Sequence, residues 1–149
     1  MTLKQWIVFP ALAVAVGAVM VPAYAASRCS PSARFVVVEG GLVRDTLTRL
    51  VWQRQASTTT MTYPNAQTFC SSNGFRVPTV KELFSLVDRR ASPTLSIDPT
   101  AFPGTPANAF WTSTNYQPSP TDAMWIVSFY NGESGSQQKT TPNYVRCVR

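Results

Sequence analysis

The sequence has no histidine. That removes the residue most used for acid/base chemistry near neutral pH and the commonest imidazole metal ligand. A Ser-His-Asp or Cys-His arrangement is therefore excluded. Acidic residues are also scarce, 7 against 13 Lys and Arg. Hard cations need several converging oxygens, so few positions remain to hold one. Cysteine is limited to Cys29, Cys70 and Cys147. Three thiols allow one internal bridge and leave one over.

One long hydrophobic run is present. Met1-Thr2-Leu3-Lys4 precedes an apolar stretch from Trp6 to Val21, closed by Pro22-Ala23-Tyr24-Ala25. A basic start, an apolar run and a small-x-small site describe a secretory signal peptide over 1–25, cleaved after Ala25. The run is about 16 residues, short of the roughly 20 needed to span a bilayer. Export is the expectation, to the periplasm, the cell surface or the medium, with no stable membrane span after cleavage. Arg28 before Cys29 argues against lipidation. Loss of Lys4 leaves 12 basic and 7 acidic residues, a net +5 (12 − 7). Such a charge favours solubility and polyanions, but does not by itself indicate nucleic acid.

An exported chain can form disulfides. Cys70–Cys147 is the favoured pair, because it ties the end of a helix to the last strand and closes a long loop. Cys29 is left free, paired to a partner, or exchanged into that bridge.

Residues 26–33 are small, polar and Pro-containing, and read as a flexible segment ahead of a domain over 34–149. Arg34–Val38 and Leu42–Arg44 form a hairpin around Glu39-Gly40-Gly41. Asp45 can bond its own backbone in the next turn, before a strand over Leu50–Gln53. Thr62 caps a helix running through Pro64 to Ser72, with Ala66, Phe69 and Cys70 on one face. Gly74 stops it. Pro78 keeps Val77 extended, and Thr79 and Glu82 have capping-box spacing. A second helix then buries Val80, Leu83, Phe84, Leu86 and Val87 and ends near Asp88-Arg89-Arg90. The Pro-rich stretch from Ala91 to Ala109 reads as an ordered loop pinned by Ile97, Phe102 and Phe110.

The last 40 residues read as β: Phe110–Thr114, Ala123–Tyr130, a turn at Asn131-Gly132, a polar edge strand to Thr140, and a final strand over Tyr144–Arg149. Strands early and late with helices between them predict an α+β fold.

In this order the pieces resemble the Lcl C-terminal domain family, a domain that closes a bacterial collagen-like adhesin and recurs in exported bacterial proteins. The stretches that carry the resemblance are Val43–Gln53, Phe75–Leu83, Ile97–Pro103, Phe110–Thr114, Trp125–Gly132 and Val145–Arg149, together covering nearly all of 34–149. The resemblance implies a C-type-lectin-like fold: two helices, a small twisted antiparallel sheet and a long irregular loop region. In that fold a disulfide commonly joins the first helix to the last strand, in agreement with Cys70–Cys147. It also implies a binding role at or outside the cell surface. The adhesin's association with sulfated glycans does not fix a ligand here, and this chain has no collagen-like stalk.

Calcium-dependent lectin sites use Glu-Pro-Asn or Gln-Pro-Asp, and Gln117-Pro118-Ser119 lacks the acid. No metal or cofactor is expected. Asp98 and Asp122 lie in separate loops, and no residue set supports catalysis, so the chain reads as a non-enzyme. Arg76 and Glu82 read as a structural pair. Trp52, Trp111 and Trp125 read as core, although aromatic faces can stack on sugars. Lys81, Arg89, Arg90, Lys139, Arg146 and Arg149 are candidates for a basic surface. Loops carry function more often than scaffolds do. The candidate ligand surface is therefore Asn115, Tyr116, Gln117, Asn131, Gln137, Gln138, Lys139, Asn143, Tyr144 and Arg146. The expected function is a secreted, non-catalytic module binding a glycan, polyanionic or otherwise, or a protein. The alternative is an envelope assembly protein disulfide-linked through Cys29.

Overall fold

A computed structural model describes residues 34–149. The expected signal peptide, the 26–33 segment and Cys29 lie outside the described residues. Eight elements follow in order: β1 Phe35–Val38, β2 Leu42–Asp45, β3 Val51–Gln53, α1 Tyr63–Ser72, α2 Val80–Phe84, β4 Ala109–Asn115, β5 Ala123–Ser128 and β6 Glu133–Gln138. The α+β expectation holds. The strands form two antiparallel three-stranded sheets, β1-β2-β3 and β4-β5-β6, where the sequence reading had one.

Two clusters make the core. The first joins Val43 and Trp52 of the first sheet to Leu83, Leu86, Ile97, Phe102, Phe110, Val127 and Phe129. The second packs Tyr63, Ala66 and Cys70 of α1 against Trp111, Met124, Ile126, Val145 and Cys147. β5 serves both, because alternate side chains leave opposite faces of a strand. Met124 and Ile126 enter the second cluster and Val127 the first. Trp52 and Trp111 are fully buried, and the Trp111 indole donates to the Met61 carbonyl at 2.7 Å.

The link between the helices forms as the local signals predict. Gly74 adopts φ 72°, which suits a residue without Cβ after a helix. Thr79 accepts from the Glu82 amide, and the Glu82 carboxylate accepts from the Thr79 amide at 2.7 Å. Arg76 adds a bidentate pair to Glu82 at 2.7 and 2.8 Å. Two details differ. Thr62 occupies the N-cap of α1 without a side-chain cap bond. α2 is regular only to Phe84, and Leu86 and Val87 continue as turns with amides reaching back three residues, to Leu83 and Phe84.

The final segment is the largest departure. It is not one regular strand, because its partner changes every residue or two. Asn143 pairs with Met61, Tyr144 with Ala109 and Trp111, and Arg149 with Val51. Val148 bridges both Trp52 and Arg76. The segment thus joins the two sheets. The Cys70–Cys147 disulfide fixes it to α1, with Cα atoms 5.5 Å apart. The long 91–109 connection is ordered as expected, with Ile97 and Phe102 fully buried. The Asp98 carboxylate holds its turn by accepting from the Thr100 and Ala101 amides.

Candidate functional site

The free end of the second sheet gathers six of the ten candidate ligand residues. β4 ends at Asn115, which lies opposite Met124 of β5, and Met124 lies opposite Gln137 of β6. Gln138 is opposite Ala123 in the same ladder. The 116–122 loop then closes over this end. Its turn is held by the Ser119 amide donating to the Tyr116 carbonyl at 2.9 Å. Lys139 clamps the loop to β6: its backbone amide donates to the Asp122 carbonyl at 2.7 Å, and its ammonium to the Thr121 carbonyl at 2.6 Å. Tyr116 stands edge-on to Trp125, ring centroids 5.3 Å apart and 77° between planes. Asn115, Gln117 and Gln138 are exposed, while Tyr116, Trp125, Gln137 and Lys139 are half-buried. By register Gln138 shares the face of Ala123 and Trp125 with the aromatic pair, while Asn115 and Gln137 lie on the other face with Met124. The sheet end therefore offers an aromatic pair with one side-chain amide on one side and two amides on the other.

The other four candidates lie elsewhere. Asn131 sits in the β5–β6 turn, at the opposite end of β6, where it donates to Glu133 at 2.6 Å. At about 3.4 Å per residue, the six residues of β6 hold its two ends some 17 Å apart. Asn143 is buried and backbone-paired to Met61. Tyr144 is half-buried, its ring 5.6 Å from that of Phe110.

Arg146 is the clear correction. It is fully buried rather than part of a basic surface. Its Nη1 donates to the Gln53 and Arg54 carbonyls, and its Nη2 to Thr105 Oγ1. Its guanidinium lies 4.7 Å over the Phe102 ring. Among the described residues no carboxylate pairs with it, and Nε has no partner. Burial accordingly pulls its pKa down to about 9. The sequence reading placed Arg146 at the surface, but successive residues Val145, Arg146, Cys147 and Val148 are all buried, so both faces of the segment are covered.

A second concavity escaped the sequence reading. It is a groove of about 630 Å³ between α1 and the inter-helix link, lined by residues including Tyr63, Gln67, Ser71, Phe75, Arg76 and Ser113. Burial pushes the Tyr63 phenol up. The available signal was the polar pair Gln67 and Ser71, one helical turn apart on the flank next to the Ala66 and Cys70 face. The guanidinium of Arg76 is already committed to Glu82 there. Among the described residues no group of three His, Cys, Asp or Glu is placed to hold a metal.

A family model described as the Lcl C-terminal domain matches residues 41–149. The chain belongs to the Lcl C-terminal domain family. The Lcl match begins at Gly41, inside the β1–β2 turn. β1 therefore lies ahead of the matched stretch, although all four of its residues pair with β2. The Arg76-Glu82 link, the cystine and the Tyr116 loop all fall within the Lcl domain. No curated protein matches the chain. Among the described residues no helix is long and apolar enough to cross a membrane.

Proposed function

We propose that this Lcl domain is an exported, non-catalytic, C-type-lectin-like binding module that takes a glycan on the free end of its second sheet. The observation that carries the reading is the Tyr116–Trp125 pair, half-buried beside Gln117 and with Gln138 on the same face of the sheet. Aromatic faces bury the apolar side of a sugar ring, and side-chain amides bond its hydroxyls in both donor and acceptor senses. Few rotamers need ordering on binding, because Lys139 already holds the loop. The absence of histidine supports a non-catalytic role. The Lcl family name and the sequence of residues 1–25 support export.

A glycan array followed by calorimetry tests this. Tyr116→Ala and Trp125→Ala are each expected to weaken a hit by about tenfold, the upper part of the range for one aromatic contact. Gln67→Ala, in the α1 groove, is expected to leave it unchanged. Absence of any glycan hit, or a hit insensitive to Tyr116 and Trp125, rejects the reading.

A further inference from the structure

The turn joining β2 to β3 carries features that neither the core nor the glycan patch uses. Its apex is Leu47, 75% exposed and the most exposed large apolar side chain among the described residues. Arg44 and Arg49 stand at its base, lining one shallow recess with Asp45, Thr46 and Val51. Among the described residues neither arginine forms an ion pair. The nearby acid is unavailable to them, because Asp45 is buried and held by a bidentate pair from Arg34 at 2.7 and 3.0 Å. Asp45 also accepts from the Leu47 amide and the Thr48 hydroxyl, which fixes the shape of the turn. Arg49 has φ 65°, the one positive φ outside glycine among the described residues. A side chain in that region costs about 1 kcal/mol, and such strain concentrates at functional positions.

Strand register extends the pattern. Val36, Arg44 and Val51 lie opposite one another across the first sheet and share its outer face. Val36 is 44% exposed. Val51 exchanges both backbone hydrogen bonds with Arg149, at 2.8 and 2.9 Å, which puts Arg149 on the same face. One surface therefore presents the two guanidiniums of Arg44 and Arg49 without carboxylate partners, beside an exposed Leu and an exposed Val, while the Arg149 guanidinium is stacked 4.8 Å over the Phe75 ring.

We propose that this turn is a reversible docking site for an anionic lipid bilayer: Leu47 enters the headgroup region while Arg44 and Arg49 bind lipid phosphates beside it. The charge is complementary to such a surface, and the exposed apolar tip can enter it beside the two cations. A soluble polyanion would engage the arginines but would gain nothing from Leu47. Attachment through one apolar side chain and a few cations is weak and salt-sensitive.

The test is sedimentation of the protein, purified from its host, with phosphatidylcholine vesicles containing or lacking phosphatidylglycerol. Binding is expected only with phosphatidylglycerol and is expected to fall as ionic strength rises. Arg44→Gln and Arg49→Gln should each weaken it about fivefold, and Leu47→Ser about tenfold. Unchanged thermal unfolding of Leu47→Ser confirms that the fold is kept. Equal binding to both vesicle types overturns the proposal, as does Leu47→Ser binding like the parent. Stronger binding to soluble dextran sulfate, insensitive to Leu47, replaces the bilayer with a polyanion and also overturns it.

Discussion

The free end of the second sheet and the crossing of the final segment use similar side chains in opposite settings. At the free end, Lys139 gives its ammonium to loop carbonyls and stays half in water. At the crossing, Arg146 gives its guanidinium to the carbonyls of Gln53 and Arg54 with no water access. Both cations staple loops by bonding carbonyl oxygens rather than carboxylates. The difference lies in desolvation. A half-exposed ammonium keeps most of its hydration, whereas a buried guanidinium must recover it all from dipoles and an aromatic face. Lys139 shapes a surface, and Arg146 holds three segments together from within.

The largest effect is expected where the crossing is fastened covalently. The Cys70–Cys147 bridge spans 77 residues. In the loop-entropy model it stabilises by about 4 kcal/mol. The Cys70→Ala/Cys147→Ala variant should lose about that much in denaturant unfolding. The proposed glycan patch, built on the β4–β5–β6 ladder, should keep its structure in the fraction that stays folded. A loss below 1 kcal/mol would mean that hydrogen bonds alone hold the final segment in place.

Arg146 is expected to come next. Arg146→Ala strands the Gln53 and Arg54 carbonyls, leaves the Thr105 hydroxyl only its bond to the Phe102 carbonyl, and opens a cavity beside Phe102. The expected cost is about 3 kcal/mol by chemical denaturation. Lys139→Ala should cost under about 1 kcal/mol, since water can replace an ammonium at exposed carbonyls. Equal losses for the two variants would erase the distinction between staple and surface.

This contrast also explains what the sequence could and could not show. The turn chemistry of Gly74, the Thr79–Glu82 box, the Asp45 turn and the Asn131-Gly132 hairpin are local, and each is written within a few residues. The cystine was legible because the compartment and the count of thiols narrowed the choice. Arg146 was not legible, since its setting depends on Thr105 and Phe102, some 40 residues away in a loop without period. The second sheet was missed for a similar reason. The final segment pairs with four partners in turn, so its alternation reports no single face. Six of the ten candidates fall together at one sheet end because loop polarity at a sheet end is a local property. The α1 groove was not, because its walls meet only in three dimensions.

The smallest effect concerns a third setting, the Arg76–Glu82 pair, which stands between the other two in exposure. The guanidinium of Arg76 holds the Glu82 carboxyl down to about 2 against partial burial, helped by the Thr79 amide and hydroxyl. The folded pKa lies below the unfolded value of 4.5, so the unfolded chain binds a proton first as pH falls. The contribution is complete above about 4.5 and is lost as pH falls towards 2. Asp45 acts in the same direction: burial pushes its carboxyl up, and the bonds from Arg34, Thr48 and Leu47 outweigh that. Thermal unfolding from pH 6 down to pH 2 should therefore show Glu82→Gln less stable than the parent at the upper end. The two curves should converge at the lower end, because a neutral amide and a protonated carboxyl then present similar groups to Arg76. A constant gap across that range would mean that Glu82 stabilises the link by packing and capping, with its charge contributing nothing.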